Sequence, residues 1–255
     1  MQLFHPEQPH SAFVQGVWSV TVAESLPNPV VKPLYSDAGS GVIFNLNGNI
    51  MMGQTLFSEG VIMLPVRKQA DVISLPPGAK LAGIRFHPGI GFGVLGKCYD
   101  QPALLQKKDD TSFAFYSLLE TLRQRNNNHS RIAALRHWLA FNMNFTDVMP
   151  VALEKVFSSI GQETKLGLIG QQSNLSQRQI ERVIKTRLGM TPKHFQRVLR
   201  IKKTIQFLRT NKQADLADVA VQFGFSDQAH MTREFRSIAG ATPSQVRRGS
   251  DSHTP

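Results

Sequence analysis

Leu216-Ala217-Asp218-Val219-Ala220-Val221-Gln222-Phe223-Gly224-Phe225-Ser226-Asp227-Gln228-Ala229-His230-Met231-Thr232-Arg233-Glu234-Phe235-Arg236 reads as a short helix, a tight turn and a second helix. Leu216, Val219 and Ala220 recur at helical spacing, and Gly224 can take the positive φ that a tight turn demands. In the second helix Met231, Phe235 and Ile238 form one apolar stripe. Ala229, Thr232, Arg233 and Arg236 fall on the opposite side, with Gln228 in the exposed first turn. Ser226 is the expected N-cap.

The same pattern occurs earlier in the chain. At an offset of 50, Leu166, Ile169, Gly170 and Ser176 match Leu216, Val219, Ala220 and Ser226. After one inserted residue, Gln177, Ile180, Arg182, Lys185, Gly189, Thr191, Pro192 and Arg197 match Gln228, Met231, Arg233, Arg236, Gly240, Thr242, Pro243 and Arg248. The first copy has Asn174 in its turn and Ser176 as its N-cap, with Gln179 at the capping-box position. Its second helix turns Ile180, Val183, Ile184 and Leu188 inward, and Arg178, Glu181, Arg182 and Lys185 outward. Two copies are too few for a solenoid, but they suit two pseudo-equivalent helix-turn-helix subdomains. Thr191-Pro192 opens a long helix to about Arg209 that bridges them, roughly 25 Å long at ~1.5 Å per residue. That length is compatible with recognition helices about one DNA turn apart, ~34 Å.

Charge supports the division. The 255 residues carry a formal net charge of +11. Residues 1–149 account for +2 of it and residues 150–255 for +9. A charged outer face on one amphipathic helix is ordinarily just solvated surface. Two at equivalent positions in a strongly basic half point to a polyanion, and Arg, Gln and Thr at the front of a helix are the groups that read base edges.

Upstream, residues 10–87 read as β-rich. Phe13–Val22, Gly41–Leu46, Gly60–Pro65 and Lys80–His87 are apolar runs between Gly, Pro, Asn and Ser clusters. Their alternation is imperfect, which predicts a partly two-sided sheet or a small barrel. Phe115, Leu118, Leu119 and Leu122, then Ile132, Leu135, Trp138 and Leu139, mark two helices flanking a polar loop, Arg125–His129. Residues 144–150 read as a linker, with Pro150 in the first turn of a helix whose stripe is Leu153, Phe157 and Ile160. The fold class is thus α+β, with an N-terminal β-rich domain over 1–149 that ends in two helices. An all-α domain of two helix-turn-helix subdomains follows over 150–249, self-contained enough to fold alone, then a frayed tail over 250–255.

These residues resemble the AraC/XylS family of bacterial transcription regulators over about 150–249. The likeness rests on the 216–236 stretch with Gly240-Ala241-Thr242-Pro243, and on Leu175-Ser176, the Arg182 region and Gly189-Met190-Thr191-Pro192. The resemblance implies sequence-specific binding of double-stranded promoter DNA, two successive major grooves each taking one recognition helix. Carried onto matching positions, the interface comprises Ser176, Gln177, Arg178, Glu181, Arg182 and Lys185, and Gln228, Ala229, Thr232, Arg233 and Arg236. Glu181 fits as an acceptor from cytosine N4 or a partner for a neighbouring arginine. Gly167 and Gly170 in the first motif each cost about 1 kcal/mol relative to alanine, so that motif is expected to be looser. Val17-Trp18 and 83–89 resemble the small β-rich domain of some relatives. That likeness implies a small-molecule effector, a homodimer or both, and a regulator of this family is expected to contact RNA polymerase as well.

Other motifs carry less. Gly91-Phe92-Gly93-Val94-Leu95-Gly96 spells a dinucleotide fingerprint, but no clear parallel strand follows, and a glycine-rich connector is expected. His87 stands apart from other candidate ligands, Cys98 reads as a small buried hydrophobe, and Trp18 and Trp138 read as core aromatics. Lys107-Lys108 beside Asp109-Asp110 reads as a solvated loop. No catalytic or metal site and no cofactor are expected. The alternative is a DNA-targeted enzyme with a β-rich catalytic N-terminal domain. A single cysteine, and the lack of a membrane-length apolar run or a secretory leader, lead to the expectation of a soluble cytoplasmic protein with no membrane contact.

Overall fold

The computed structural model describes residues 3–96, 99–143, 148–161 and 166–249. Its N-terminal part is built on two antiparallel sheets. One comprises β1 (Val14–Thr21), β8 (Lys80–Phe86), β3 (Gly41–Asn47), β6 (Gly60–Leu64) and β9 (Ala103–Leu104), in that spatial order. The other comprises β2 (Val30–Leu34), β7 (Asp71–Leu75), β4 (Ile50–Met52) and β5 (Thr55–Phe57).

The larger sheet is a middle layer, buried on both faces. Trp18, Ile43, Ile62 and Leu81 point toward the smaller sheet and pack with Ile50, Met52, Phe57, Ile73 and Leu75. Their neighbours along the strands, Val17, Val42, Phe44, Val61 and Ala82, join the core on the other side. That side is covered by α2 (Phe115–Arg123) and α3 (Asn128–Asn142), whose Phe115 ring lies 6.1 Å from Phe44 and 5.3 Å from Trp138. Two apolar faces explain the imperfect alternation, because a strand covered on both sides has no polar side to alternate with. The two-sided sheet is therefore present, as the middle layer between a smaller second sheet and two helices, and the alternative of a small barrel is not what forms. Trp18 faces Gly83 across β1 and β8, where a methyl group would run into the indole.

The glycine-rich run folds as α1 (Ile90–Leu95), so the connector is helical. A side chain at Gly93 would run into the Val148 carbonyl, so this glycine serves close packing of helix against chain. Asp110 is more than a solvated loop residue, since it accepts the Phe115 and Tyr116 backbone N–H groups at 3.0 and 2.7 Å and starts α2. The polar loop is shorter than expected, because Asn127 caps α3 through the Ser130 N–H. Cys98 and residues 144–147 of the linker lie outside the described residues.

The C-terminal part is all helix: α4 (Val151–Gly161), α5 (Leu166–Ser173), α6 (Gln177–Leu188), α7 (Pro192–Thr210), α8 (Leu216–Gln222), α9 (Gln228–Ala239) and α10 (Pro243–Arg248). Pro150 precedes the first turn of α4 rather than sitting in it, and its carbonyl accepts from Leu153 and Glu154. The helix α10 was absent from the sequence reading, although the repeat carries its signal. Thr191-Pro192 caps α7 and Thr242-Pro243 caps α10 in the same way. Residues 250–255, read as a frayed tail, lie outside the described residues.

The N-cap of α9 is Asp227, one residue later than expected, its carboxylate accepting from the His230 N–H at 2.6 Å. The inserted residue between the two copies falls here, so Asp227 takes the structural place of Ser176. Asp227→Ala is expected to destabilise this helix, read as a lower midpoint in urea denaturation. Ser226→Ala should cost less, and the reverse order would restore Ser226 as the cap.

Candidate nucleic-acid interface

Each motif is a short helix, a left-handed residue and an exposed helix. Asn174 has φ +54° and Gly224 φ +72°. The Leu175 N–H returns to the Gly170 carbonyl at 3.2 Å, and the Phe225 N–H to the Ala220 carbonyl at 2.9 Å. The same five-residue closure thus reverses the chain in both. At Gly170 it is the turn's own Leu175 carbonyl that comes close, rather than the facing helix. The expected capping box of α6 is present, with Ser176 and Gln179 exchanging hydrogen bonds. Both exposed helices end on a left-handed glycine, Gly189 at φ +66° and Gly240 at φ +64°.

The inner faces are closed. Ile180, Ile184 and Leu188 of α6 are buried, as are Met231, Phe235 and Ile238 of α9, with Val183 half-buried. Ser176, Gln177, Arg178, Glu181, Arg182 and Lys185 are all exposed on the first motif, and Gln228, Ala229, Arg233 and Arg236 on the second. Thr232 departs from this set. It is half-buried, and its hydroxyl donates to the Gln228 carbonyl at 2.9 Å. Glu181 pairs with Gln177, whose amide donates to it at 2.9 Å, rather than with an arginine. The side chains of Arg178, Arg182 and Lys185 form no ion pair or hydrogen bond among the described residues, so their charges face solvent. Asp227, at the front of α9, has its carboxyl held below the usual range by the His230 backbone N–H.

The supports of the two motifs differ. Arg197 of α7 pairs with buried Glu234 of α9 at 2.5 Å, and His230 Nε2 lies 3.7 Å from the same carboxylate. Arg200 of α7 donates to the Gly224 carbonyl at 3.0 Å, with its guanidinium 5.4 Å from the Phe225 ring centre. The second motif is therefore braced by the bridging helix. Its counterpart of Glu234 in the first motif is Val183, which cannot form such a pair. There Arg187 reaches instead into the N-terminal part, donating to the Gly89 and Val148 carbonyls at 3.1 and 3.2 Å and lying 5.3 Å from the Phe92 ring centre. Sequence reasoning missed Glu234 as a brace. Its signal is an acid three residues past buried Met231, on the inward side.

A helix-turn-helix domain profile matches residues 169–249. Residues 169–249 are an AraC/XylS-type DNA-binding domain. The transcriptional activator RhaS of Escherichia coli is 33% identical over 89 residues, which are 35% of this chain and 32% of that protein. The chain thus spans about a third of the length of the curated relatives it matches. Among solved structures, ToxT of Vibrio cholerae is similar over 91% of this chain and 97% of its own, at 15% identity and a TM-score of 0.49. The C-terminal domain of AraT, a response regulator of Geobacillus stearothermophilus, aligns with 40% of this chain and 86% of its own, at 22% identity and a TM-score of 0.35. In this domain α6 and α9 are the two exposed second helices of the repeated motif.

Proposed function

We propose that the chain is a sequence-specific transcription regulator that lays α6 and α9 in successive major grooves of promoter DNA. The observation that carries this reading is the pair of solvent-facing basic helix faces at repeat-equivalent positions, Arg182 matching Arg233 and Lys185 matching Arg236. Arg182 and Arg233 present planar guanidinium forks to guanine O6 and N7, while Gln228 suits adenine. Arg178 and Thr232 extend these two surfaces, and Glu181, held by Gln177, offers an acceptor to cytosine. Lys185 and Arg236, nearer the helix C-termini, serve the phosphates.

The N-terminal part is the sensing or pairing module, open to a small-molecule effector or a second copy, and RNA polymerase is the further partner at the promoter. Contacts from the β6–β7 segment support a regulatory role. The Ala70 N–H donates to the Ile238 carbonyl of α9 at 2.7 Å, and the His194 ring of α7 donates to the Lys68 carbonyl at 3.2 Å. Together with Arg187, these contacts let a change in the sheets alter the placement of both motifs. None of the described helices is long and apolar enough to cross a membrane.

A mobility-shift assay with a selected site and scrambled competitor at one salt concentration tests the reading. Specific binding should survive scrambled DNA in excess, whereas equal competition would reduce the interface to charge alone. In the same assay, Lys185→Ala and Arg236→Ala should weaken specific and non-specific binding alike. Each should reduce the slope of log K against log salt by about 0.9. Unchanged slopes would remove both from the phosphate contacts.

A further inference from the structure

A cleft of about 540 Å³ opens beside the end of β3, the start of β8 and the turn between α2 and α3. Its walls carry four cations, Lys80, Arg123, Arg125 and Arg131, against one carboxylate, Glu59. That carboxylate is already engaged, since Arg123 pairs with Glu59 at 2.7 Å and with Glu120 at 2.8 Å.

Arg131 is the unusual group. It is 3% exposed, and the three hydrogen bonds of its guanidinium go only to neutral acceptors. Nη1 donates to Thr21 Oγ1 at 3.0 Å and Asn128 Oδ1 at 3.3 Å, and Nη2 donates to the Arg125 carbonyl at 3.0 Å. Nε is buried with no hydrogen-bond partner. Among the described residues no carboxylate lies within ion-pair distance of this guanidinium. A buried cation without a counter-charge is strongly unfavourable, because it gives up hydration and gains no Coulomb attraction. The side chains of Lys80 and Arg125, on the same cleft, also form no ion pair or hydrogen bond among the described residues.

We infer that this cleft binds a small phosphate-bearing molecule, its phosphoryl group lying beside Lys80, Arg125 and Arg131. The charge excess suits a multiply charged anion, and arginine forks match phosphate oxygens in geometry. Leu46 is the one apolar residue of the wall, which disfavours an apolar acid. The volume exceeds that of a lone phosphate, so the ligand class is a phosphate ester or diphosphate of a small polar body. The site belongs to the N-terminal part and does not depend on how α6 and α9 read DNA.

Inorganic pyrophosphate is the probe, added to the full chain in thermal unfolding at constant ionic strength against a chloride control. Basic recognition helices also attract phosphate, so two double variants are compared. Pyrophosphate should raise Tm equally in the unchanged protein and in Arg182→Ala/Arg233→Ala. In Lys80→Ala/Arg125→Ala its affinity should fall about tenfold or more, with the circular dichroism spectrum unchanged. No rise beyond the chloride control, an undiminished rise in Lys80→Ala/Arg125→Ala, or a rise lost only in Arg182→Ala/Arg233→Ala would overturn the site. DNA is the other source of phosphate. The Lys80→Ala/Arg125→Ala variant should keep the salt slope of DNA binding, and a slope lowered by about 0.9 per contact would move these cations to DNA and overturn the small-molecule assignment.

Discussion

Arg233→Lys is expected to relax the base preference of the proposed DNA contact at one or two positions of its site while largely preserving non-specific affinity. Arg233 lies two residues after buried Met231, about 200° around α9, and is exposed. Its guanidinium can hold guanine O6 and N7 together, a contact that discriminates by about 1–3 kcal/mol. Lysine keeps the charge and loses the planar fork. Arg182→Lys, two residues after buried Ile180, should do the same about one helical turn away. Its effect should be weaker, because α6 lacks a counterpart of the Arg197–Glu234 brace. Binding-site selection on both variants at one salt concentration measures this. If the wild type and both variants select the same sites, these arginines grip the backbone, and base reading moves to Arg178, Gln228 or Thr232.

Asp37→Asn should be the most damaging single change to stability proposed for this chain. Burial raises the Asp37 pKa, but Arg85, Lys202 and the Gly39 N–H outweigh it and hold the carboxyl at about 2, against an ordinary 3.8. Arg85 Nε donates to Asp37 Oδ2 at 3.2 Å, and Nη2 meets Oδ1. Lys202 comes from α7 and donates to Gln15 Oε1 at 3.0 Å, so the cluster ties the bridging helix to the sheets. Asparagine keeps the shape but leaves Arg85 and Lys202 without their shared counter-charge. The expected loss is about 2–4 kcal/mol, below the full cost of a wholly buried pair because both partners keep some exposure. A depressed carboxyl pKa gives stability that is present above the unfolded value of 3.8 and lost as pH falls through about 2. At neutral pH this one group contributes about 2 kcal/mol. Urea unfolding at pH 7 and across pH 2–5 should therefore show a wild-type fall that the variant lacks. Parallel profiles would show that the charge of Asp37 is incidental.

The helical half was legible because its determinants are local. The Ser176 capping box, the left-handed Asn174 and Gly224, and the Thr191-Pro192 start are each decided within a few residues, and the repeat states the turn and the Thr-Pro start twice. The error at Ser226 arose at the one inserted residue. Between two adjacent cap-forming side chains, only the built helix shows which one reaches the free N–H groups. The short strands β2, β4, β5, β7 and β9 were missed for a different reason. Three of them have only two or three residues, too few for a period, and they exist through pairing with partners far along the chain.

The sequence alone determined the two helix-turn-helix motifs, the arginine-bearing faces of their second helices and the division into a near-neutral β-rich part and a basic helical part. Those features follow from local periodicity, caps and the signs of charges. Tertiary structure alone decided that the larger sheet is a middle layer, that Arg131 is buried without a counter-charge among the described residues, and that Asp37, Arg85 and Lys202 meet. It also decided that Arg197 and Arg200 brace the second motif while Arg187 ties the first to the sheets. Each of these joins residues tens to more than a hundred positions apart. Burial and Coulomb energy depend on distance in space, which periodicity along the chain does not encode.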